Sequence, residues 1–179
     1  QQNGGGELTI INATVDRGFG AVGCFGGKTT IKGGTFLPTG IAATTCHVVY
    51  VAAGATVDIQ DGTFKMNYPA DAVPDSGSAV ASYYSGTLAI SGGSFTAHFD
   101  NVSPVELSAG SEISGGKFMN HAGEASTHQY VTNFLKSGLE VGDKGSFEVI
   151  KNNTVFVRKS FAMGHPFEKR YYLEGRKIR

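Results

Sequence analysis

One six-residue pattern constrains this chain more than anything else in it. Ile31-Lys-Gly-Gly-Thr-Phe36, Ile59-Gln-Asp-Gly-Thr-Phe64, Ile90-Ser-Gly-Gly-Ser-Phe95 and Ile113-Ser-Gly-Gly-Lys-Phe118 are copies of one another, and Ile10-Ile-Asn-Ala-Thr-Val15 is a degenerate first copy. On an unbroken strand, residues an odd number of positions apart point to opposite faces. Both the Ile and the Phe are nevertheless apolar in every full copy, so the chain has to turn between them. Gly-Gly and Asp-Gly supply residues that accept positive φ cheaply and allow a bend that aims both side chains into one interior. The 26 glycines stand beside only 5 prolines. They are therefore turn residues and not part of a Pro/Gly low-complexity segment.

The alternation continues upstream of each Ile, with Thr29, Val57, Leu88 and Ser111 two positions earlier. A further strand precedes each unit: Val22-x-Cys24, Val49-x-Val51, a stretch from Val80 to Tyr84, and Val105-x-Leu107. Each unit thus carries two or three short strands separated by turns, and successive motif isoleucines lie 21, 28, 31 and 23 positions apart. Stacked at about 4.8 Å, such units would align Ile10, Ile31, Ile59, Ile90 and Ile113 in one internal ladder and Val15, Phe36, Phe64, Phe95 and Phe118 in another. An antiparallel sandwich of similar strands gives no reason for the same motif to recur. The expected fold is all-β: a right-handed parallel β-helix of about five coils, with a short C-terminal helix and an antiparallel β cap.

The Ile-Ser-Gly-Gly-Ser-Phe type of motif resembles the repeats of right-handed β-helix proteins of bacterial surfaces, gut bacteria above all. The wider architecture is similar to that of pectate-lyase-like enzymes and phage tailspikes. The resemblance covers roughly residues 7–150, since 130–138 followed by Gly145-Ser-Phe-Glu-Val149 looks like the segment that closes such arrays. It speaks for architecture far more than for function, because one fold hosts many functions.

The chain divides into a glycine-rich linker (1–6), the repeat body (7–125), a closing segment (126–159) and a tail (160–179). In the closing segment Tyr130, Val131, Phe134 and Leu135 recur at helical spacing, with Ser126 or Thr127 as N-cap and Gly138 as stop. Leu139 and Val141, Phe147 and Val149, and Val155 and Val157 then alternate around the turn signals Asp143-Lys-Gly145 and Asn152-Asn153. From Ser160 onward no period is visible, which predicts an extended arm or a segment ordered by contact. No apolar run approaches the ~20 residues needed to span a bilayer. The absence of an initiator Met implies a processed product or a fragment of something longer.

Several motifs reduce to turns of the repeat. Gly18-Phe-Gly-Ala-Val-Gly23 fits GxGxxG but opens no predicted helix, and Gly26-Gly-Lys-Thr29 lacks the first glycine of a phosphate loop. The histidines at 47, 98, 121, 128 and 165 have no metal-ligand spacing, so no metal or cofactor is expected. Cys24 and Cys46 could form one disulfide, but they occupy different places in the repeat, which favours two buried thiols. Catalysis on a polysaccharide would draw on Asp58, Asp61, Asp71, Asp75 and Asp100. Asp61, however, replaces a turn glycine, and Arg17 is the only arginine in the first 150 residues.

Two features point to function. Extra residues enter after Phe36, Phe64 and Phe95, the same point of the unit, so stacking predicts three loops side by side on one edge. That edge would offer Tyr68, Asp71, Asp75, His98, Phe99, Asp100 and Asn101, an aromatic, acidic and amide set suited to a sugar. Charge is also divided: residues 1–150 hold 7 Lys or Arg against 13 Asp or Glu, a net of −6, and residues 151–179 hold 8 against 2, a net of +6. The basic tail is aromatic as well, and Phe167, Lys169, Arg170, Tyr171, Tyr172 and Arg176 are its candidate docking residues, for the acidic flank of this chain or of a neighbour. The acidic body argues against nucleic acid. The expected role is a non-catalytic adhesion or host-recognition module, extracellular, on a cell surface or a virion, with a polysaccharide-active lyase or hydrolase, or a purely structural fibre component, as the alternatives. Its partner would be a surface glycan or host-cell receptor, and its setting a homo-oligomer or larger fibre.

Overall fold

The computed structural model describes residues 4–39, 47–68, 78–97, 102–125, 129–142, 147–151, 154–157 and 169–172. The chain opens with β1 (Glu7–Ile10), β2 (Ala13–Val15) and β3 (Val22–Cys24), and the same triplet then recurs. It returns as β4 (Lys28–Ile31), β5 (Gly34–Phe36) and β6 (Val49–Val51), and as β7 (Thr56–Ile59), β8 (Thr63–Lys65) and β9 (Val80–Ser82). Next come β10 (Thr87–Ile90), β11 (Ser94–Thr96) and β12 (Val105–Glu106), and the last copy is β13 (Glu112–Ile113) and β14 (Lys117–Met119). The closing elements are α1 (Gln129–Asn133), β15 (Leu139–Gly142), β16 (Phe147–Lys151), β17 (Thr154–Val157) and β18 (Lys169–Tyr172).

Equivalent strands pair with one another in parallel and build three sheets. An Ile sheet runs β1-β4-β7-β10-β13, a Phe sheet contains β14-β11-β8-β5-β2, and a Val sheet runs β12-β9-β6-β3. Each strand therefore lies beside its counterpart in the next repeat, an arrangement compatible with a parallel β-helix. The register keeps the repeat intact: Ile10, Ile31, Ile59, Ile90 and Ile113 are successive partners, as are Phe36, Phe64, Phe95 and Phe118. The four phenylalanines are fully buried and stack face to face, with ring centroids 5.0, 4.9 and 5.2 Å apart. That spacing is close to the distance between paired strands, so backbone pairing and ring stacking demand the same period. Ile10 and Val15 occupy the expected ladder positions but are only partly buried, because β1 and β2 end their sheets.

The bend between Ile and Phe is made as its composition requires. The second turn residue, Gly34, Gly62, Gly93 or Gly116, has a φ between +98° and +133°. At the first turn residue the constraint is space: a methyl on Gly92 would run into the carbonyl of Gln60, and one on Gly115 into that of Ser91. The repeated Gly-Gly thus serves two separate steric needs. Asp61 replaces the first glycine of its turn, and its Oδ1 accepts a hydrogen bond from the Gly62 N–H at 2.8 Å.

The closing segment departs from the sequence reading. The helical spacing predicts a helix through Leu135 with Gly138 as its stop, yet α1 ends at Asn133. The next residues extend the Ile sheet: Ile113 donates its N–H to the Phe134 carbonyl, and Lys136 donates to the carbonyl of Ile113. Leu135 bridges Ile113 in parallel. The backbone groups of β13 need partners, and this stretch supplies them more effectively than another helical turn would. Val131, fully buried, carries α1 into the core. β16 then pairs antiparallel with β14 and with β15. β17 and β18 pair antiparallel, so the aperiodic tail contributes a strand that its sequence pattern does not announce.

Candidate functional site

The long connections leave the Phe sheet and re-enter the Val sheet at equivalent points. Phe36, Phe64 and Phe95 are register partners where they leave. Val49, Val80 and Val105 are register partners where they return. The bases of the connections are therefore aligned along one edge. Of the candidate ligand residues, Asp71, Asp75, His98, Phe99, Asp100 and Asn101 lie outside the described residues. Tyr68 is described, and it is not an open ring: it is half-buried against the core with its hydroxyl out of solvent. Tyr68 stands two positions after Met66, which is buried, so on an extended chain both side chains turn to the same side. Of the tail candidates, Lys169, Arg170, Tyr171 and Tyr172 form β18, while Phe167 and Arg176 lie outside the described residues.

The aligned edge leads directly onto the outer face of the Val sheet, and an uninterrupted aromatic row lies there. Val49 and Val51 point into the core, so Tyr50 between them points outward. In register, its position is held by Gly23, Tyr50, Ala81 and Glu106 across four repeats. Cys24, Val51 and Ser82 are aligned inward, which makes Phe25, Ala52 and Tyr83 a second outward set. Large and small residues therefore form a checkerboard, with each ring lying beside a small neighbour. Phe25 covers Gly23, where an added methyl would sit 2.8 Å from the ring. Ring centroids follow at 5.5 Å from Phe25 to Tyr50, 5.7 Å to Tyr83 and 6.3 Å to Tyr84, all tilted. Phe25 and Tyr84 are exposed, Tyr84 to 84%.

A polar chain pins this row. Tyr83 donates its hydroxyl proton to Glu106 Oε2 at 2.7 Å. The same Oη lies 3.1 Å from His47 Nε2. On the other side of the ring, the Ser78 N–H donates to His47 Nδ1 at 3.2 Å. These directions are mutually consistent with a neutral imidazole carrying its proton on Nε2. Burial lowers the His47 pKa, opposed by the charge of Glu106 and the contact with Ser78, which favours the same neutral form. Burial, followed by the hydrogen bond to Glu106, raises the pKa of the Tyr83 hydroxyl, so it remains a donor. His47 and Ser78 open the described chain after the residues 40–46 and 69–77, so this contact joins the bases of two neighbouring connections.

Comparison with known proteins returns no matching family model, no matching curated protein and no matching solved structure. Function has to be argued from this chain's own residues.

Elsewhere among the described residues the chemistry is sparse. An open concavity of about 410 Å³ follows the glycine turns, lined by Asp61, Thr63, Ser94, Lys117 and Val149 among others. Its glycine floor is already accounted for by the stacking of the repeats. Among the described residues no three His, Cys, Asp or Glu side chains converge as metal ligands. The Cys24 thiol is free and buried, donates to Thr29 Oγ1 at 3.4 Å, and has its pKa raised by burial. Cys46 lies outside the described residues. The sequence did contain the signal for the aromatic row. Once the Val-x-Val strands are aligned, their middle positions read Gly, Tyr, Ala, Glu, but attention to loop insertions passes over a strand's outward position.

Proposed function

We propose that the chain is a right-handed parallel β-helix, closed at its C-terminal end by α1 and the β15–β16 pair, and that it serves as a non-catalytic extracellular recognition module. Its setting would be adhesion or host recognition, on a bacterial surface or as part of a phage fibre, with a surface glycan as ligand. The observation that carries this reading is the register alignment of the loop bases beside an outward aromatic row. A rigid stack that groups its variable segments on one edge is how scaffolds commonly display binding residues. Of the acids considered for catalysis, Asp58 accepts from Gln60 Nε2 at 2.8 Å and Asp61 caps its own turn, while Asp71, Asp75 and Asp100 lie outside the described residues.

The basic aromatic tail is proposed to dock on an acidic β-helix flank and to tether chains into a homo-oligomer or fibre. Removing residues 160–179 and measuring mass at low and high salt tests this, and an unchanged monomer in both would reject it. The recognition role is tested with the full chain on a glycan array, followed by incubation of each ligand with the chain and analysis of product size. Binding without shortening is expected. Shortened products would make the chain an enzyme, and an empty array would reject glycan recognition.

A further inference from the structure

We infer that the aromatic row on the outer face of the Val sheet is a sugar-stacking site that selects hexoses bearing a free amine over hexoses bearing a carboxylate. The inference rests on the glycan-recognition reading and narrows it from an edge to named rings and a ligand class.

The shape of the row decides the kind of ligand. Phe25, Tyr50 and Tyr83 follow one another along the stack, one ring per repeat, bordered by Gly23, Ala52 and Ala81. His47 packs beside them, its ring centroid 6.3 Å from that of Tyr50 and 5.5 Å from that of Tyr83, and the result is a strip of packed rings running along the stack. A protein partner needs a broad patch, on the order of 800 Å² from each side. A strip of rings that adds one ring with each repeat suits a linear chain whose units each present an apolar C–H face, as a β-linked hexose chain does. Tyr84, the most exposed of these rings, lies beside Tyr83 in the same repeat.

Charge decides the class. Glu106 continues the outward set of Gly23, Tyr50 and Ala81, and its Oε2 holds the hydroxyl of Tyr83. A cation at the strip would meet aromatic rings, whose π faces attract positive charge, and a carboxylate capable of a charge-assisted hydrogen bond. An anionic sugar would meet repulsion from both. Lys or Arg is absent from this outward set, where the residues are Gly23, Phe25, Tyr50, Ala52, Ala81, Tyr83 and Glu106. The bond from Tyr83 keeps the carboxylate beside the ring, and His47 holds Tyr83 from the other side.

The test uses the full chain and three hexasaccharide probes, of glucosamine, of N-acetylglucosamine and of galacturonic acid, titrated calorimetrically at about pH 6, where the amines are largely charged. The expected order of affinity is glucosamine, then N-acetylglucosamine, then galacturonate. Tyr50→Ala should weaken glucosamine binding by about 5- to 10-fold, the scale of one lost ring contact. Glu106→Gln should remove about 10-fold of the preference for the amine, the scale of a charged hydrogen bond, while changing N-acetylglucosamine binding less than twofold. Tyr84→Ala, at an exposed ring, serves as the variant that folding cannot compromise, and a loss of about 2- to 5-fold is expected. If the chain binds glycans on an array but these variants leave all three probes unchanged, the strip is not the site and the recognition role survives. Tightest binding to galacturonate would overturn the charge argument. Failure of all three probes together with an empty array would remove both readings.

Discussion

The inside of the Phe sheet and the outside of the Val sheet are built on the same register by opposite rules. Inside, one residue is repeated: four phenylalanines, fully buried, stacked almost parallel at a nearly constant distance. Outside, no position repeats. Gly23, Tyr50, Ala81 and Glu106 share one outward set, and large and small residues alternate. The interior has to satisfy its own neighbours one strand spacing away, so every copy is held to the same volume. The exterior is only partly covered, with Ala81 buried and Phe25 and Tyr84 exposed, so its residues are held less strictly to one volume.

The largest effect is expected where repetition is strictest. Phe64→Ala or Phe95→Ala removes one ring from the middle of a continuous stack and should cost about 3–5 kcal/mol in chemical denaturation. A loss below about 1 kcal/mol for both would mean that the ladder does not hold the repeats together.

The turn glycines should come next. Gly115→Ala drives a methyl against the Ser91 carbonyl, a backbone atom that cannot rotate away. A destabilisation of about 1–3 kcal/mol is expected from such overpacking. Wild-type stability in this variant would show that adjacent repeats can separate without penalty at this corner.

The third expectation concerns the pinned histidine beside the outer aromatic row. His47 has its pKa lowered from 6.5 by burial, so the unfolded chain binds a proton more readily than the folded one. The associated stability is complete above about pH 6.5 and is lost as the pH falls through the lower, folded value. Denaturation midpoints measured from pH 8 to pH 4 should decline on the acid side, and His47→Gln should flatten that part of the curve. An identical acid slope in the variant would assign the decline to other groups.

The smallest effect should be on the outside. Tyr84 is 84% exposed, and Tyr84→Ala should change stability by less than about 0.5 kcal/mol. A larger loss would mean that the row packs as part of the fold, and the contrast between the two faces would be weaker than proposed.

Much of this was legible in the residues. The Ile and Phe ladders, the turn between them and the common departure point of the long connections follow from a motif copied with its glycines in place. The failures have equally local causes. Phe134 and Leu135 sit at helical spacing after Val131, but the open edge of β13 offers backbone partners that a continued helix would leave unsatisfied. Spacing carries no information about such an edge. Tyr68 looked like a loop ring because a tyrosine's pattern does not say whether its apolar body or its hydroxyl governs its placement. The tail strand β18 has no alternation because one short ribbon strand does not require it.

By itself the sequence determined a period, because identical side chains at recurring spacing can be buried only if their strands stack in register. It determined the corners too, since only glycine tolerates both the positive φ and the close carbonyl. Tertiary structure alone decided which outward residues meet. Phe25, His47, Tyr50, Tyr83 and Glu106 are scattered over some eighty positions of chain. They become neighbours because parallel pairing brings residues one repeat apart to within about 5 Å. That juxtaposition is a property of the register and of the length of each connection, and no single segment of the sequence contains it.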